Sequence, residues 1–287
     1  MAEIYIGTSG WSYPKGQGTW KGYFYPAGKY NELEYYSQFF NTVEVNSSFY
    51  RPPNPGFAEN WVKRTPKDFK FAVKLWQKFT HPKMYQEATG EHAIISQNDV
   101  DLFINSIEPV YQAGKLCALL AQFPPSFKND SYGQQILGAV IRTFSNYPLA
   151  VELRHRSWSD DENAGSLLRA SRVSWVKIDE PKFITSIASE VPLTSDFAYF
   201  RFHGRNAEEW WHGDAETRYK YLYSPEEIEE LAGRMKKAAE NTKLTFAFFN
   251  NHWQAYAPRN AVGLMKSLQL PLKEPVTPLP DKHEQPD

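Results

Sequence analysis

Residues 148–154 read PLAVELR. Side chains on a β-strand alternate between its two faces, so residues two apart share one face. Val151 and Leu153 therefore stand on one side of this segment, with Glu152 and Arg154 on the other. In a barrel, one face of each strand meets the outer helices and is apolar, while the other meets the barrel axis. Read this way, Glu152 and Arg154 point inward.

The same pattern recurs outward along the chain. In TVEVN (42–46), Val43 and Val45 face the helices, and Thr42, Glu44 and Asn46 face the axis. In FKFAVK (69–74), Phe71 and Val73 turn outward and leave Lys74 inside. SWVKID (174–179) gives Val176 and Ile178 out, Lys177 and Asp179 in. AYFRFH (198–203) gives Phe200 and Phe202 out, Arg201 and His203 in. EIYIGT (3–8), KLCALLA (115–121) and LTFAFFN (244–250) complete eight strand-like runs, continued by Gln122 and Asn250.

Helical patterns separate these runs. Ser224 followed by Pro225, Glu226 and Glu227 reads as an N-cap, a proline at the first helical position and acids in the first turn. Strands alternating with helices imply parallel pairing through right-handed crossovers. The expected fold is α/β, a single (β/α)8 TIM barrel over residues 1–270. An open doubly wound sheet is the alternative, but no GxGxxG follows the first strand. Connections from helix into strand are short, such as Phe40-Asn41, whereas the βα loops 9–29, 75–97 and 204–223 are long. Long loops on one face mark the active-site face of such a barrel. Residues 271–287, PLKEPVTPLPDKHEQPD, form a Pro- and charge-rich tail expected to be flexible.

The 287 residues carry a formal net charge of −1, which gives no global attraction to nucleic acid. Any such role needs a local basic groove. Neither a leader pattern nor an 18-residue apolar run is visible, so no membrane attachment and a cytoplasmic location are expected. The single Cys117 has no partner for an intramolecular disulfide and reads as a buried small hydrophobe.

The inferred interior collects Glu44, Glu152 and Asp179 with Lys74, Arg154, Lys177, Arg201 and His203. Burying so many charges costs several kcal/mol per ion unless they are paired, so a barrel built only for stability would use Val, Ile and Leu. Cations outnumber carboxylates, which favours an anionic ligand such as a phosphate, a carboxylate or a nucleic-acid backbone. The loops after the last two strands begin His203-Gly204-Arg205 and Asn250-Asn251-His252. Gly204 allows close backbone approach, and Arg205 offers a fork for phosphate. Glu44, Glu152, Asp179 and His203 are also conceivable ligands of a divalent metal, although the neighbouring cations oppose one and no HExxH is present. A retaining glycosidase would place carboxylates at the ends of the fourth and seventh strands, where Gln122 and His203 stand. The long loops are rich in aromatic residues, among them Trp11, Trp20, Trp210 and Trp211, with Trp158 and Trp253 after two further strands. Rings of this kind either pack on one another or stack on bases and sugars.

Seven segments, in order, cover the chain from residue 4 to about 265: IGTSGWSYP with Trp20 to Pro26, NTVEVNSSFYRPP, FAVK followed by Thr80-His81, QFPPSF, AVELRHRSW, YFRFHGR and FFNNHWQAYAPRNA. Together they resemble the YecE-like family of barrel proteins of unknown function. The resemblance implies a (β/α)8 barrel and no particular reaction.

The expected function is that of a hydrolase-like enzyme acting on a phosphate-bearing substrate, a nucleotide or nucleic acid, without a cofactor. Glu44, Glu152, Asp179 and His203 are the candidate catalytic groups. Trp11, Asn46, Lys74, Arg154, Trp158, Lys177, Arg201, Arg205, Asn250 and Asn251 are the candidate substrate contacts. A non-catalytic nucleic-acid or protein-binding module and a carbohydrate-active barrel remain the alternatives.

Overall fold

Every strand expected from alternation forms, with one interruption. The structure, a computed structural model, describes residues 2–213 and 217–272, so the tail beyond 272 lies outside the described residues. The chain begins with β1 (Glu3–Thr8), α1 (Glu32–Tyr36), β2 (Thr42–Val45), α2 (Pro55–Lys63) and β3 (Lys70–Lys74). It continues with α3 (Gln77–Thr80), α4 (Pro82–Thr89), α5 (Gln97–Gln112), β4 (Leu116–Gln122), α6 (Ser131–Thr143) and β5 (Leu149–Glu152). Then come α7 (Glu162–Ala170), β6 (Ser174–Trp175), β7 (Lys177–Asp179) and β8 (Phe197–Phe202). The last described elements are α8 (Pro225–Ala239), β9 (Leu244–Phe249) and α9 (Tyr256–Ser267).

The strands pair in parallel as two sheets, one ordered β1-β9-β8-β7 and the other β2-β3-β4-β5-β6. The expected α/β order with parallel pairing is therefore present. The two sheets are linked by a hydrogen bond at one margin and by chain continuity at the other. On one side Gly10 N–H donates to the Glu44 carbonyl at 2.8 Å, just past the end of β1. On the other, only Val176 separates β6 from β7, and its N–H donates to Val151 at 3.0 Å. Gly7 is required where β1 passes β2, since a Cβ there would lie 2.1 Å from the carbonyl oxygen of Thr42.

Local signals set the helix starts. Ser224 accepts from Glu227 N–H while the Glu227 carboxylate accepts from Ser224 N–H, a reciprocal cap that satisfies two donors at the start of α8. Ser96 and Asp99 do the same for α5. Much of the aromatic wealth is core. Trp20, Phe24 and Tyr25 of the first long loop are buried against Tyr35, Tyr36, Phe39 and Phe40. Cys117 is buried, and burial pushes its thiol up to about 12. Among the described residues, no helix is long and apolar enough to cross a membrane.

Candidate functional site

A cleft of about 430 Å3 opens where the C-terminal ends of the strands meet. The segment after β1 contributes Gly10, Trp11 and Tyr13, and the segment after β2 contributes Asn46, Phe49 and Tyr50. Lys74 and Gln122, the last residues of β3 and β4, form its base with Arg201 of β8 and Asn250 just past β9. Tyr219 and His252 close the far side, their rings 5.4 Å apart.

Beneath the cleft lies a dense charge network held by Arg201. This side chain is 1% exposed and crosses from one sheet to the other. Its Nε and one terminal nitrogen grip both oxygens of Glu44 at 2.9 and 2.7 Å. Its other terminal nitrogen donates to Glu152 at 2.6 Å and to the Gln122 carbonyl at 2.9 Å. Tyr199 OH adds a 2.7 Å bond to Glu44. Arg154 Nε donates to Glu152 at 2.6 Å, so both oxygens of that carboxylate are engaged. Although burial disfavours its charge, Arg154 and Arg201 hold the Glu152 carboxyl well below its ordinary range. Glu152 is thus a permanent carboxylate with little basicity.

His203 is a neutral ring. An Arg154 terminal nitrogen stands 3.1 Å from its Nε2, and the Asn250 amide stands 3.1 Å from its Nδ1. Guanidinium only donates, so Nε2 faces Arg154 as an acceptor. Burial, with the charge of Arg154, pushes this imidazole down to about 3. It orients its neighbours and is not an imidazolium acid at neutral pH.

Lys74 is in a different state. Its ammonium lies 3.9 Å from the centre of the Phe49 ring. Among the described residues, no carboxylate oxygen lies within 4.0 Å of that ammonium. Burial and the fixed charge of Arg201 push the amine down to about 7. His81 stacks edge-on to the same Phe49 ring at 4.9 Å, and burial together with Lys74 pushes it down to about 3. Asn46 Oδ1 is buried with no hydrogen-bond partner among the described residues.

The structure thus brings Trp11, Asn46, Lys74, Arg201 and Asn250 to the cleft, with Glu44, Glu152, Arg154 and His203 directly below. Five expected site residues go elsewhere. Lys177 and Asp179 face the helices: the Lys177 amine reaches Glu190 at 3.4 Å and the Val191 carbonyl, and Asp179 binds Arg205, Tyr223 and Arg234. Strand 174–179 therefore has the opposite facing from the one expected, because helix-side partners satisfy its charges. Glu180, the next residue, points toward Arg154 instead, 3.5 Å away, and burial raises its carboxyl to about 7. Arg205 is occupied by Asp179, Glu227 and Glu230 beside α8. Trp158 donates to the Phe127 carbonyl at 2.9 Å and stacks on that ring in the core. Asn251 is buried against Asn260 and the Tyr221 carbonyl. The space beside Gly204 belongs to Tyr221, where an added Cβ would lie 2.7 Å from the Tyr221 Cβ.

A shared metal among Glu44, Glu152, Asp179 and His203 is not supported, since Asp179 faces away and arginines fill the two glutamates. Among the described residues, no three His, Cys, Asp or Glu side chains are placed to hold a metal ion. The cleft residues missed by alternation are Tyr13, Phe49, Tyr50, Tyr219 and His252. They lie on loops, where the two-residue period has no meaning; only the aromatic density hinted at them.

Fold and cleft define a parallel α/β protein with an aromatic-walled polar site at its strand ends. The profile of the family described as "Protein of unknown function DUF72" matches residues 5–284, and the chain belongs to that family. It is 30% identical over 285 residues to UPF0759 protein YunF of Bacillus subtilis (strain 168), covering 93% of this chain and 95% of the relative. UPF0759 protein YecE of Escherichia coli (strain K12) is 35% identical over 156 residues, 53% of this chain and 48% of the relative. Among solved structures, a DUF72 family protein from Thermotoga maritima MSB8 superposes with a TM-score of 0.80 at 36% identity, covering 93% of this chain and 99% of that one. One from Enterococcus faecalis V583 gives 0.80 at 26% identity, covering 99% and 100%. The YecE-like resemblance is thereby borne out.

Proposed function

We propose that the two sheets are arcs of one closed (β/α)8 barrel over residues 1–270, and that its cleft is the active site of an enzyme for a phosphate-bearing substrate, a nucleotide or nucleic acid. Support for closure comes from the Gly10–Glu44 hydrogen bond at one margin and the one-residue gap at Val176 at the other. A cytoplasmic location is part of the same reading; a lone buried thiol suits a reducing compartment.

The observation that carries the substrate class is Lys74. Arg201 and Arg154 are neutralised by Glu44 and Glu152, which leaves the Lys74 ammonium to attract an anion into the cleft. Gln122 presents its carbonyl to Arg201, which leaves its amide donors for a ligand oxygen. Trp11, Tyr50 and Tyr219 supply rings for stacking on a base. Since Arg154 and Arg201 hold Glu152 as a low-basicity carboxylate and Arg201 grips both oxygens of Glu44, the group left to act on the substrate is Lys74. Glu44, Glu152, Arg154, Arg201 and His203 position the floor on which it acts.

A thermal-shift screen against nucleotides, phosphorylated sugars, short oligonucleotides and neutral sugars tests this. A ligand at a hundred times its Kd stabilises the native state by about 2.7 kcal/mol. A phosphorylated class should give that shift, lose it in Lys74→Met and keep it in Arg205→Ala, whose side chain is away from the cleft. A shift with neutral sugars alone would replace the reading with a carbohydrate site. Salt-sensitive oligonucleotide binding without turnover would indicate a binding module.

A further inference from the structure

We propose that Lys74 is a nucleophilic amine that forms an imine with the aldehyde or ketone carbonyl of its phosphate-bearing substrate. The substrate class rests on the anionic reading of the cleft; the nucleophile rests on the surroundings of Lys74 itself.

Other lysines of this protein show what a structural lysine looks like. Lys78 pairs with Asp99 at 2.8 Å, Lys177 with Glu190 at 3.4 Å, and Lys115 donates to three oxygens of Val62 and Thr65 at 2.9 Å. Lys74 has no such partner among the described residues. It lies half-buried at the strand end, facing a ring and bordering the cleft. Burial disfavours its ammonium most, and Arg201 adds to this while Glu44 and Glu152 offset it in part. At pH 7 an amine pushed down to about 7 is half neutral. An ordinary exposed lysine has roughly a thousandfold less free amine.

The step balances without a cofactor. The Lys74 lone pair attacks the carbonyl carbon, the C–N bond forms, and the carbonyl electron pair goes to oxygen. A proton passes from nitrogen to that oxygen to give the carbinolamine. Its C–O bond then breaks, and the second amine proton leaves with the hydroxyl as water. Asn46 Oδ1, buried at the cleft without a partner among the described residues, is an acceptor for the carbinolamine hydroxyl.

The test is to incubate the full chain with pyridoxal 5′-phosphate at pH 7, reduce with borohydride and map the adduct by peptide mass. Lys74 should be labelled at least tenfold faster than Lys83, whose side chain is 91% exposed. Pyridoxine 5′-phosphate, which lacks the aldehyde, should protect it. Lys74→Arg should lose that adduct while keeping the thermal shift with pyridoxine 5′-phosphate. Labelling confined to exposed lysines, with pyridoxine 5′-phosphate still shifting the melt, overturns the imine and leaves the anion site standing. Trapping of acetaldehyde at Lys74, with no phosphate compound bound, supports the nucleophile and overturns its phosphate-bearing substrate.

Discussion

Lys74, His81 and His203 all have their charged forms disfavoured by burial, and each leaves a signature in the pH dependence of stability. The native Lys74 amine gives up its proton above about 7, whereas the unfolded chain holds it to the ordinary 10.5. Between those values the unfolded state binds more protons, so stability rises with pH, by up to about 1.4 kcal/mol per unit. Urea melts at pH 7 and 9.5 should show this gain in the wild type and its loss in Lys74→Met. The histidines act at the acid end. Both stay neutral in the native state down to about 3 but titrate near 6.5 when unfolded, so stability falls as pH drops from 6.5 toward 3. Glu152 extends the loss further, since its depressed carboxyl favours the native state only while ionised. His203→Gln should flatten the slope between pH 6 and 4 relative to wild type. An unchanged slope would mean that His203 does not titrate on unfolding.

At the scale of elements, β8 carries the side chain that joins the sheets. Arg201→Met would leave Glu44 and Glu152 buried with much of their compensation gone, and loss of one partner of a buried pair costs about 3–5 kcal/mol. Equilibrium denaturation should show that loss. Arg201→Lys should recover little, because an ammonium cannot reproduce the fork on Glu44. Arg205 belongs to a different group, beside α8. Arg205→Ala should lower stability without changing ligand binding. Strand 174–179 shows where alternation misleads. Lys177 and Asp179 look like interior charges because Val176 and Ile178 look like a helix-facing pair. Helix-side partners reverse that, since Glu190 and Arg234 satisfy the two charges. No pattern within the strand contains this information; it depends on residues up to 55 positions away. By contrast, β2, β5 and β8 face as alternation requires, because their inward charges find one another.

For the whole molecule, the junction of β1 with β2 decides whether the two sheets behave as one body. Gly7→Ala would push a methyl group into the Thr42 carbonyl. In a closed barrel this should destabilise the entire chain by a few kcal/mol, seen as a single unfolding transition with a lower midpoint. Two separate transitions, with the β2–β6 sheet unchanged, would refute closure. Hydrogen exchange gives a second view: the Gly10 amide, bonded across the junction at 2.8 Å, should exchange as slowly as amides within β9.

By itself the sequence determined the order of strands and helices, the face of most strands and the family. Those features follow from short-range periodicity and ordered motifs, which any chain carries before it folds. It also showed that charges meet inside, since Glu44, Glu152, Arg154 and Arg201 each occupy an inward register. Only the tertiary structure decided which charges cancel. Arg201 neutralises Glu44 and Glu152, α8 withdraws Arg205 and Asp179 from the cleft, and His203 is left neutral. Among the described residues Lys74 keeps an unpaired amine, because pairing depends on distances across the fold, and those distances are set by strands far apart in the chain.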